Sequence, residues 1–364
     1  MKRVVIFLIL LLPLAGIGQN KTPYFLTFSS KTGIMVAHRA FMSHLIRNKT
    51  YSFELSLSKQ VADNSIASTH FKLPLNGLTL EYRNFGYDEV LGKAISIIQY
   101  QNFVIFQTKN NLCLDFKVGN GFGYITKKYD KDTNPTNNAI GSNFNSKASF
   151  KIELNKFTKR YHFGIGFEAA HFSNGTIQHP NLGLNAFSIQ ANVGYNFEER
   201  KIYDKEKRKS KCDATKEKGY LVGEGILSIS EVLPLPKNAK KYGVFAGRFS
   251  FVKPVSSNWN WEIGGSVVYN LSNKYKNFEI EYDYKDVTQL GLYTGMSLNY
   301  YKSQIVFGFG YYVLDKIQPL GRFYNRIGYR YYFKENLFGL FNIRANFGKA
   351  DFFEFGMGYK FNRK

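Results

Sequence analysis

Apolar and polar residues alternate with a period of two along most of the chain, and the last segment shows this most clearly. Phe353, Phe355, Met357, Tyr359 and Phe361 are separated by small or charged residues, so one face of an extended strand is wholly apolar. Similar alternation recurs upstream over 10–13 residues at a time, whereas strands of soluble proteins average about 5–6 residues. A soluble sandwich also alternates, but over shorter stretches. The pattern therefore predicts an all-β fold, an antiparallel transmembrane β-barrel with an apolar outer wall and a polar lumen.

The alternation marks sixteen candidate strands, and the first four are the weakest, so we expect 12 to 16 strands. We expect them to form a single barrel domain over residues 19–364. The candidate strands are 31–40, 50–60, 77–86, 90–108, 112–127, 146–156, 160–172, 185–197, 219–230, 241–252, 259–270, 288–300, 303–314, 321–333, 336–347 and 351–361.

The first 18 residues are typical of a secretory signal peptide. A basic start, Lys2 and Arg3, precedes an apolar run from Val4 to Ile17, which is shorter than the ~20 residues of a helical membrane span. We expect the mature chain to begin at Gln19; an amphipathic anchor helix is the alternative. No later apolar run approaches 20 residues, so a membrane location requires a closed barrel.

Loop lengths orient the barrel, because outer-membrane barrels have short periplasmic turns and long external loops. The turns near residues 157, 301 and 335 are short and fall on one side, and four long connections fall on the other. Residues 198–218 break this rule, since they are long, carry nine basic and six acidic residues, and fall on the periplasmic side. Either the strand count slips by one hairpin there or the segment is a periplasmic insertion.

The polar face of the last strands predicts charges inside the barrel. Arg322, Arg326 and Arg330 alternate with apolar residues, and Glu354 alternates with the phenylalanines of the closing strand. We expect all four side chains to point into the lumen, where charges of both signs pair.

Composition narrows the class of protein further. Aromatic residues make up 17% of the 364 residues, charged residues 21%, and the formal net charge is +22. The aromatic content excludes a disordered chain, and the sequence has neither a collagen repeat nor coiled-coil heptads. Two cysteines, Cys113 and Cys212, leave open whether a disulfide joins them.

One segment, residues 163–197, carries candidate chemistry. His171 and Ser173 lie in phase with the apolar residues of one strand, and Asn185 lies in phase with those of the next. All three are expected on the outer wall at the external end, where polar groups facing lipid are costly unless they serve a function. A hydroxyl beside an imidazole is a plausible nucleophile and base; solvated residues at the barrel rim are the alternative.

The segment His171-Phe172-Ser173-Asn174-Gly175, followed by Pro180-Asn181-x-Gly183, resembles the active-site segment of the lipid A 3-O-deacylase family, the PagL-type outer-membrane esterases. The remainder, including Asn325-Arg326-Ile327-Gly328, resembles longer Bacteroidetes-type relatives known as acyloxyacyl hydrolases. This resemblance implies that His171 is the base, Ser173 the nucleophile and Asn174 an oxyanion donor. It also implies that the oxyanion hole includes the neighbouring Gly175 and Thr176, with Pro180, Asn181 and Gly183 supporting the motif.

Two departures from the family are notable. Asn185 stands at the acidic triad position, where it can fix the imidazole tautomer but cannot supply negative charge, and Thr176 stands where the family usually has a Gly. The resemblance implies an ester hydrolase of the Gram-negative outer membrane that needs no cofactor or metal. Its expected partner is lipid A in the outer leaflet, with no nucleic acid, since the basic residues are spread along the chain. A non-catalytic barrel, a pore or surface protein that retains a relic motif, is the alternative.

Overall fold

Sixteen antiparallel strands account for most of the structure, a computed structural model that describes residues 22–61, 68, 70–203, 218–232, 240–275, 280, 282–317 and 320–361. The predicted signal peptide and Cys212 lie outside these residues. The strands are β1 (Tyr24–Val36), β2 (Thr50–Gln60), β3 (Leu75–Asn84), β4 (Lys93–Gln107), β5 (Leu112–Ile125), β6 (Phe144–Phe157), β7 (Tyr161–Ser173), β8 (Leu184–Asn196), β9 (Tyr220–Glu231), β10 (Lys241–Pro254), β11 (Trp259–Asn270), β12 (Thr288–Tyr300), β13 (Ser303–Leu314), β14 (Phe323–Tyr332), β15 (Leu337–Asn346) and β16 (Lys349–Phe361). Short 3₁₀ helices lie at Ala40–Leu45, Leu271–Tyr275 and Tyr284–Val287.

The strands close into two barrels of eight, and the prediction of a single barrel was wrong. In the N-terminal barrel β1 pairs with β8, for example Phe25 with Asn196; in the C-terminal barrel β9 pairs with β16, for example Leu227 with Phe355. An alternating pattern fixes where strands lie and which face is apolar. It does not specify which distant strands pair, so sixteen strands satisfy one wide barrel or two narrow ones equally.

The closure into two barrels explains why the long segment 198–218 falls on the side of the short turns. It belongs to the connection between β8 and β9, the last strand of one barrel and the first strand of the next. Each barrel has an even number of strands, so this connection falls on the same side as the short turns at 158–160 and 301–302. The segment, of which residues 204–217 lie outside the described part of the chain, therefore links the two barrels, and the strand count does not slip.

Charged side chains fill the N-terminal barrel, because an eight-stranded barrel is only wide enough for its own side chains. Buried Lys31 contacts Glu54 and Glu168, and buried Arg83 contacts Glu81 and Glu168. These three glutamates lie close enough together to suggest a metal site. Each already pairs with basic groups, however, so the cluster is an internal ion-pair network.

The C-terminal barrel is filled in the same way. Arg330 donates to Glu224 and Glu262, and Arg248 donates to both oxygens of Glu354 at 2.6 and 2.7 Å. The predicted inward orientation of Arg326, Arg330 and Glu354 is confirmed, since all three are buried.

Arg322 is the exception, and its predicted lumen position was wrong. It precedes β14, is exposed, and donates to the hydroxyl of Tyr311 on the outer face of β13. The alternation continues through Arg322 in the sequence, but the strand begins only at Phe323.

The two barrels pack side by side, and polar groups on their outer walls pair across the contact. Gln99 and Gln101 of β4 donate to the hydroxyl of Tyr329 on β14, and Tyr300 at the end of β12 donates to Asn76 of β3. These groups would be costly in lipid without a partner. They therefore fix how the barrels face each other.

No helix in the described residues has the length and hydropathy of a transmembrane span. Cys113 is a free, buried thiol within the N-terminal barrel.

Candidate active site

The external end of β7 presents His171 and Ser173 on one face, as the alternation predicted. The residue between them, Phe172, points inward and is completely buried against Phe85 at a ring distance of 5.4 Å. It belongs to an apolar core that the external loops form over the barrel end. Because Phe172 is anchored inside, its two neighbours are directed outward.

Asn185 lies directly opposite His171 on β8, in register. Its Oδ1 atom accepts a hydrogen bond of 2.7 Å from Nδ1 of His171. This contact places the imidazole proton on Nδ1 and leaves Nε2 unprotonated, the form that a general base requires.

A second histidine extends this hydrogen-bonded chain. Nδ2 of Asn185 donates to Nδ1 of His38 at 3.0 Å, in the loop that follows β1. Partial burial, together with the nearby charge of Arg39, lowers the pKa of His38 below its usual value of 6.5. The neutral His38 thereby keeps Oδ1 of Asn185 turned toward His171.

Ser173 is 4% exposed because the loop that follows β7 covers it. Asn181 brings its Nδ2 to 3.1 Å and its Oδ1 to 3.3 Å from the Ser173 hydroxyl, and the Gly175 N–H donates to that hydroxyl at 3.2 Å. Within the described residues no hydrogen bond joins Ser173 to His171. The predicted nucleophile and base therefore share a face and an end of β7, but the hydroxyl is held by Asn181.

Asn174, which the resemblance implies as an oxyanion donor, has its side chain bonded within the loop. Its side-chain Nδ2 donates to Oγ of Ser142 at 2.9 Å and to the carbonyl of Gln178 at 2.7 Å. Its backbone N–H donates to Oδ1 of Asn181 at 2.8 Å, which orients the Asn181 amide. Asn174 thus supports the loop, and Asn181 presents an amide group at the hydroxyl.

Glycine is required at two positions of the loop. Gly175 has a φ of +60° and Gly183 a φ of +81°, a region that favours glycine. A Cβ atom at Gly183 would lie 2.6 Å from Cε1 of His171, so the imidazole packs directly on this backbone. Pro180 is half-buried between them.

Sequence reasoning missed the contacts of Asn181 and His38. Asn181 was predicted only to support the motif. No pattern in the sequence relates His38 to its partner Asn185, because the two lie 147 positions apart. Only the closure of β1 against β8 brings His38 to the site, and an alternating pattern contains no signal for it.

Apolar side chains cover the outer walls of both barrels while paired charges fill their lumens, so the chain is an integral outer-membrane β-barrel protein. Residues 53–198 match the family described as lipid A 3-O-deacylase (PagL), and residues 219–363 match the acyloxyacyl hydrolase C-terminal domain. The first match runs from within β2 to the end of β8 and leaves out β1, and the second spans all eight strands of the C-terminal barrel. The chain belongs to this family of outer-membrane lipid A deacylases and acyloxyacyl hydrolases. Membership of the family supports a hydrolase activity and does not by itself specify the bond that is cleaved.

Several solved structures are similar in part. The crystal structure of the outer-membrane enzyme PagL is 17% identical, with a TM-score of 0.34, and the match covers 46% of this chain and 97% of that chain. The β domain of the Bordetella autotransporter BrkA is 11% identical, with a TM-score of 0.25 and coverage of 94% and 99%. The translocator domain of NalP from Neisseria meningitidis is 10% identical, with a TM-score of 0.20 and coverage of 96% and 91%. Comparison with curated proteins found no match.

Proposed function

We propose that the protein is a serine esterase that removes an ester-linked acyl chain from lipid A in the outer leaflet. The observation that carries the proposal is the lipid-facing His171, held by Asn185 in the tautomer of a general base, two residues from Ser173. Residues two apart on a strand lie about 6.6 Å apart along it, and their side chains point the same way.

Catalysis begins when the Ser173 hydroxyl turns from Asn181 toward Nε2 of His171. The imidazole takes the hydroxyl proton as Oγ bonds to the ester carbonyl carbon, and it then protonates the lipid A oxygen as the ester C–O bond breaks. Water attacks the acyl-serine and gives its proton to His171. The fatty acid leaves, and the proton returns to Ser173.

The developing oxyanion needs donors close to Oγ of Ser173. The backbone N–H of Gly175 and Nδ2 of Asn181 both already lie within 3.2 Å of this atom. In the proposed acyl-serine the carbonyl oxygen lies one carbon away from Oγ, within reach of both donors. Such preorganised donors are each worth about 2.7–4 kcal/mol in other hydrolases.

Asn185 takes the orienting position beside His171 but carries no charge. It fixes the tautomer without stabilising the imidazolium that forms during each proton transfer. The reaction type is thus that of the family, with a slower expected rate than an acidic residue would give.

The alternative is a barrel without catalytic activity. Its pore form is disfavoured, because Arg326 and Arg330, which would line an anion path, are buried and paired with Glu224 and Glu262. A surface protein with a relic motif differs from the esterase only in activity.

Mass spectrometry of lipid A from cells that express each variant tests the proposal. Ser173→Ala and His171→Ala should each abolish acyl removal while both barrels stay folded. Ser30→Ala, on the outer face of β1, and His44→Ala, in an external loop, are matched controls that should retain activity. Acyl removal at the parent rate by Ser173→Ala would exclude Ser173 as the nucleophile, and absence of acyl removal by the parent protein would leave the non-catalytic barrel.

A further inference from the structure

Phe353 of the C-terminal barrel is buried although it faces outward. On the same face of β16, Phe355, Met357, Tyr359 and Phe361 are 39–54% exposed, whereas Phe353 is 4% exposed. The loop after β7 of the N-terminal barrel covers it: a Cβ atom at Gly175 would lie 2.4 Å from the Phe353 ring. The C-terminal barrel is therefore in van der Waals contact with the backbone next to the proposed nucleophile.

Hydrogen bonds from the same rim hold the next residue of the loop. The Glu231 N–H, at the end of β9, donates to the Thr176 carbonyl at 3.0 Å. The Thr176 hydroxyl donates to the carbonyl of Asp351 in β16. The Glu231 carboxylate accepts the His179 N–H. Three hydrogen bonds thus fix two residues of the loop, Thr176 and His179, to one rim of the other barrel.

These contacts act on a strained piece of backbone. Thr176 has a φ of +70° and follows Gly175 at +60°, and a β-branched residue rarely adopts this conformation unless its surroundings hold it. A Gly would reach this conformation without support. In this chain the residue is Thr176, and contacts from the C-terminal barrel hold it in that conformation.

The φ of Gly175 orients its N–H, which points at Oγ of Ser173, and Thr176 holds the backbone that follows in place. We propose that the C-terminal barrel is a positioning domain: Phe353, Glu231 and Asp351 hold Gly175 and Thr176 so that the N-terminal barrel can form its oxyanion hole. This inference rests on the proposed esterase function. The pairing of Gln99 and Gln101 with Tyr329 keeps the two barrels docked while the loop is held.

Full-length variants assayed with lipid A in detergent micelles test the proposal. Phe353→Ala and Thr176→Val should each lower kcat at least 10-fold with KM unchanged within 2-fold, because donor placement affects the transition state more than substrate binding. Phe353→Leu should restore most of kcat by refilling the contact. Phe309→Ala, a lipid-facing phenylalanine of the same barrel that is far more exposed, should behave as the parent.

A double-variant cycle identifies the contact itself. Gly175→Ala should lower kcat, and Gly175→Ala combined with Phe353→Ala should be no slower than the slower single variant, since the two changes disrupt one contact. Fully multiplicative losses would overturn the direct contact.

Ser173→Ala distinguishes failure of the positioning role from failure of the proposed esterase function. If it is inactive while Phe353→Ala, Thr176→Val and Glu231→Ala keep the parent kcat, the positioning role is wrong and the esterase stands. A raised KM at constant kcat would also overturn it, as that result assigns substrate binding to this rim. If Ser173→Ala is as active as the parent, the esterase proposal itself fails.

Discussion

Nδ1 of His171 donates to Oδ1 of Asn185 at 2.7 Å, across the register pair that joins β7 to β8. An amide here fixes the imidazole tautomer as a carboxylate would, but without opposing the positive charge that appears on the ring. The contact thus separates two effects of a triad acid, orientation and charge, and each can be tested alone.

Asn185→Ala should lower kcat by about 10–100-fold, less than the roughly 10²–10⁴-fold that a general base contributes. Asn185→Glu should preserve or raise kcat, because a carboxylate restores both orientation and charge. Release of free fatty acid from lipid A measures both. Unchanged activity in the two variants would exclude a third member of the site at this position.

His38→Ala should lower kcat at neutral pH by about 2–10-fold, the equivalent of one hydrogen bond of about 0.5–1.5 kcal/mol. The pKa of His38 is lowered from 6.5, so its Nδ1 accepts from Asn185 above that pKa and loses this capacity as the pH falls through it. The acid side of the pH–rate profile should therefore be shallower in His38→Ala than in the parent, with His44→Ala as control. Superimposable profiles would argue against the chain from His38 to His171.

Asn181→Ala should lower kcat by about 10²–10³-fold, as expected for one oxyanion donor. Asn181→Asp keeps the shape and the acceptor for the Asn174 N–H but removes the donor, so it should be equally slow. KM should change little in both, and single-turnover acylation measures the step directly. Recovery of activity in Asn181→Asp would show that Asn181 only supports the loop.

Gly183→Ala should abolish most activity, because its Cβ would lie 2.6 Å from Cε1 of His171. Gly348→Ala is a matched control: its φ of +90° imposes similar backbone strain, but no atom lies within 4 Å of the added Cβ. Both variants should fold with a similar loss of stability. Equal activities would mean that strain, and not displacement of the imidazole, explains the effect.

Glu354→Ala should destabilise the C-terminal barrel by about 3–5 kcal/mol, because it removes a buried ion-pair partner of both Arg248 and Arg344. Lys131→Ala removes an exposed pair with Asp132 and should cost no more than about 1 kcal/mol. Denaturant titration followed by gel mobility of unheated samples measures both.

The sequence was sufficient to predict local structure and insufficient to predict closure. All sixteen candidate strands are present, though β1 begins at Tyr24 and residues 40–45 are a 3₁₀ helix. The outward phase of His171 and Ser173 followed from period two alone. Three features depend on pairing and loop packing between distant residues, which no local pattern encodes. They are the division into two barrels, the contact of Asn181 with the Ser173 hydroxyl and the contact of His38 with Asn185.

In the proposed reaction, the outward direction of His171 also determines how the protein and its substrate meet. The proposed site lies at the level of the outer leaflet and the substrate is confined to that leaflet, so the two meet by lateral diffusion in two dimensions. The quantity that sets the rate is then the mole fraction of substrate among the surrounding lipids. Diluting the membrane with an inert lipid should slow the reaction even when the bulk amount of substrate is constant. The released acyl chain stays in the same layer, where it competes for the wall on which it was cleaved.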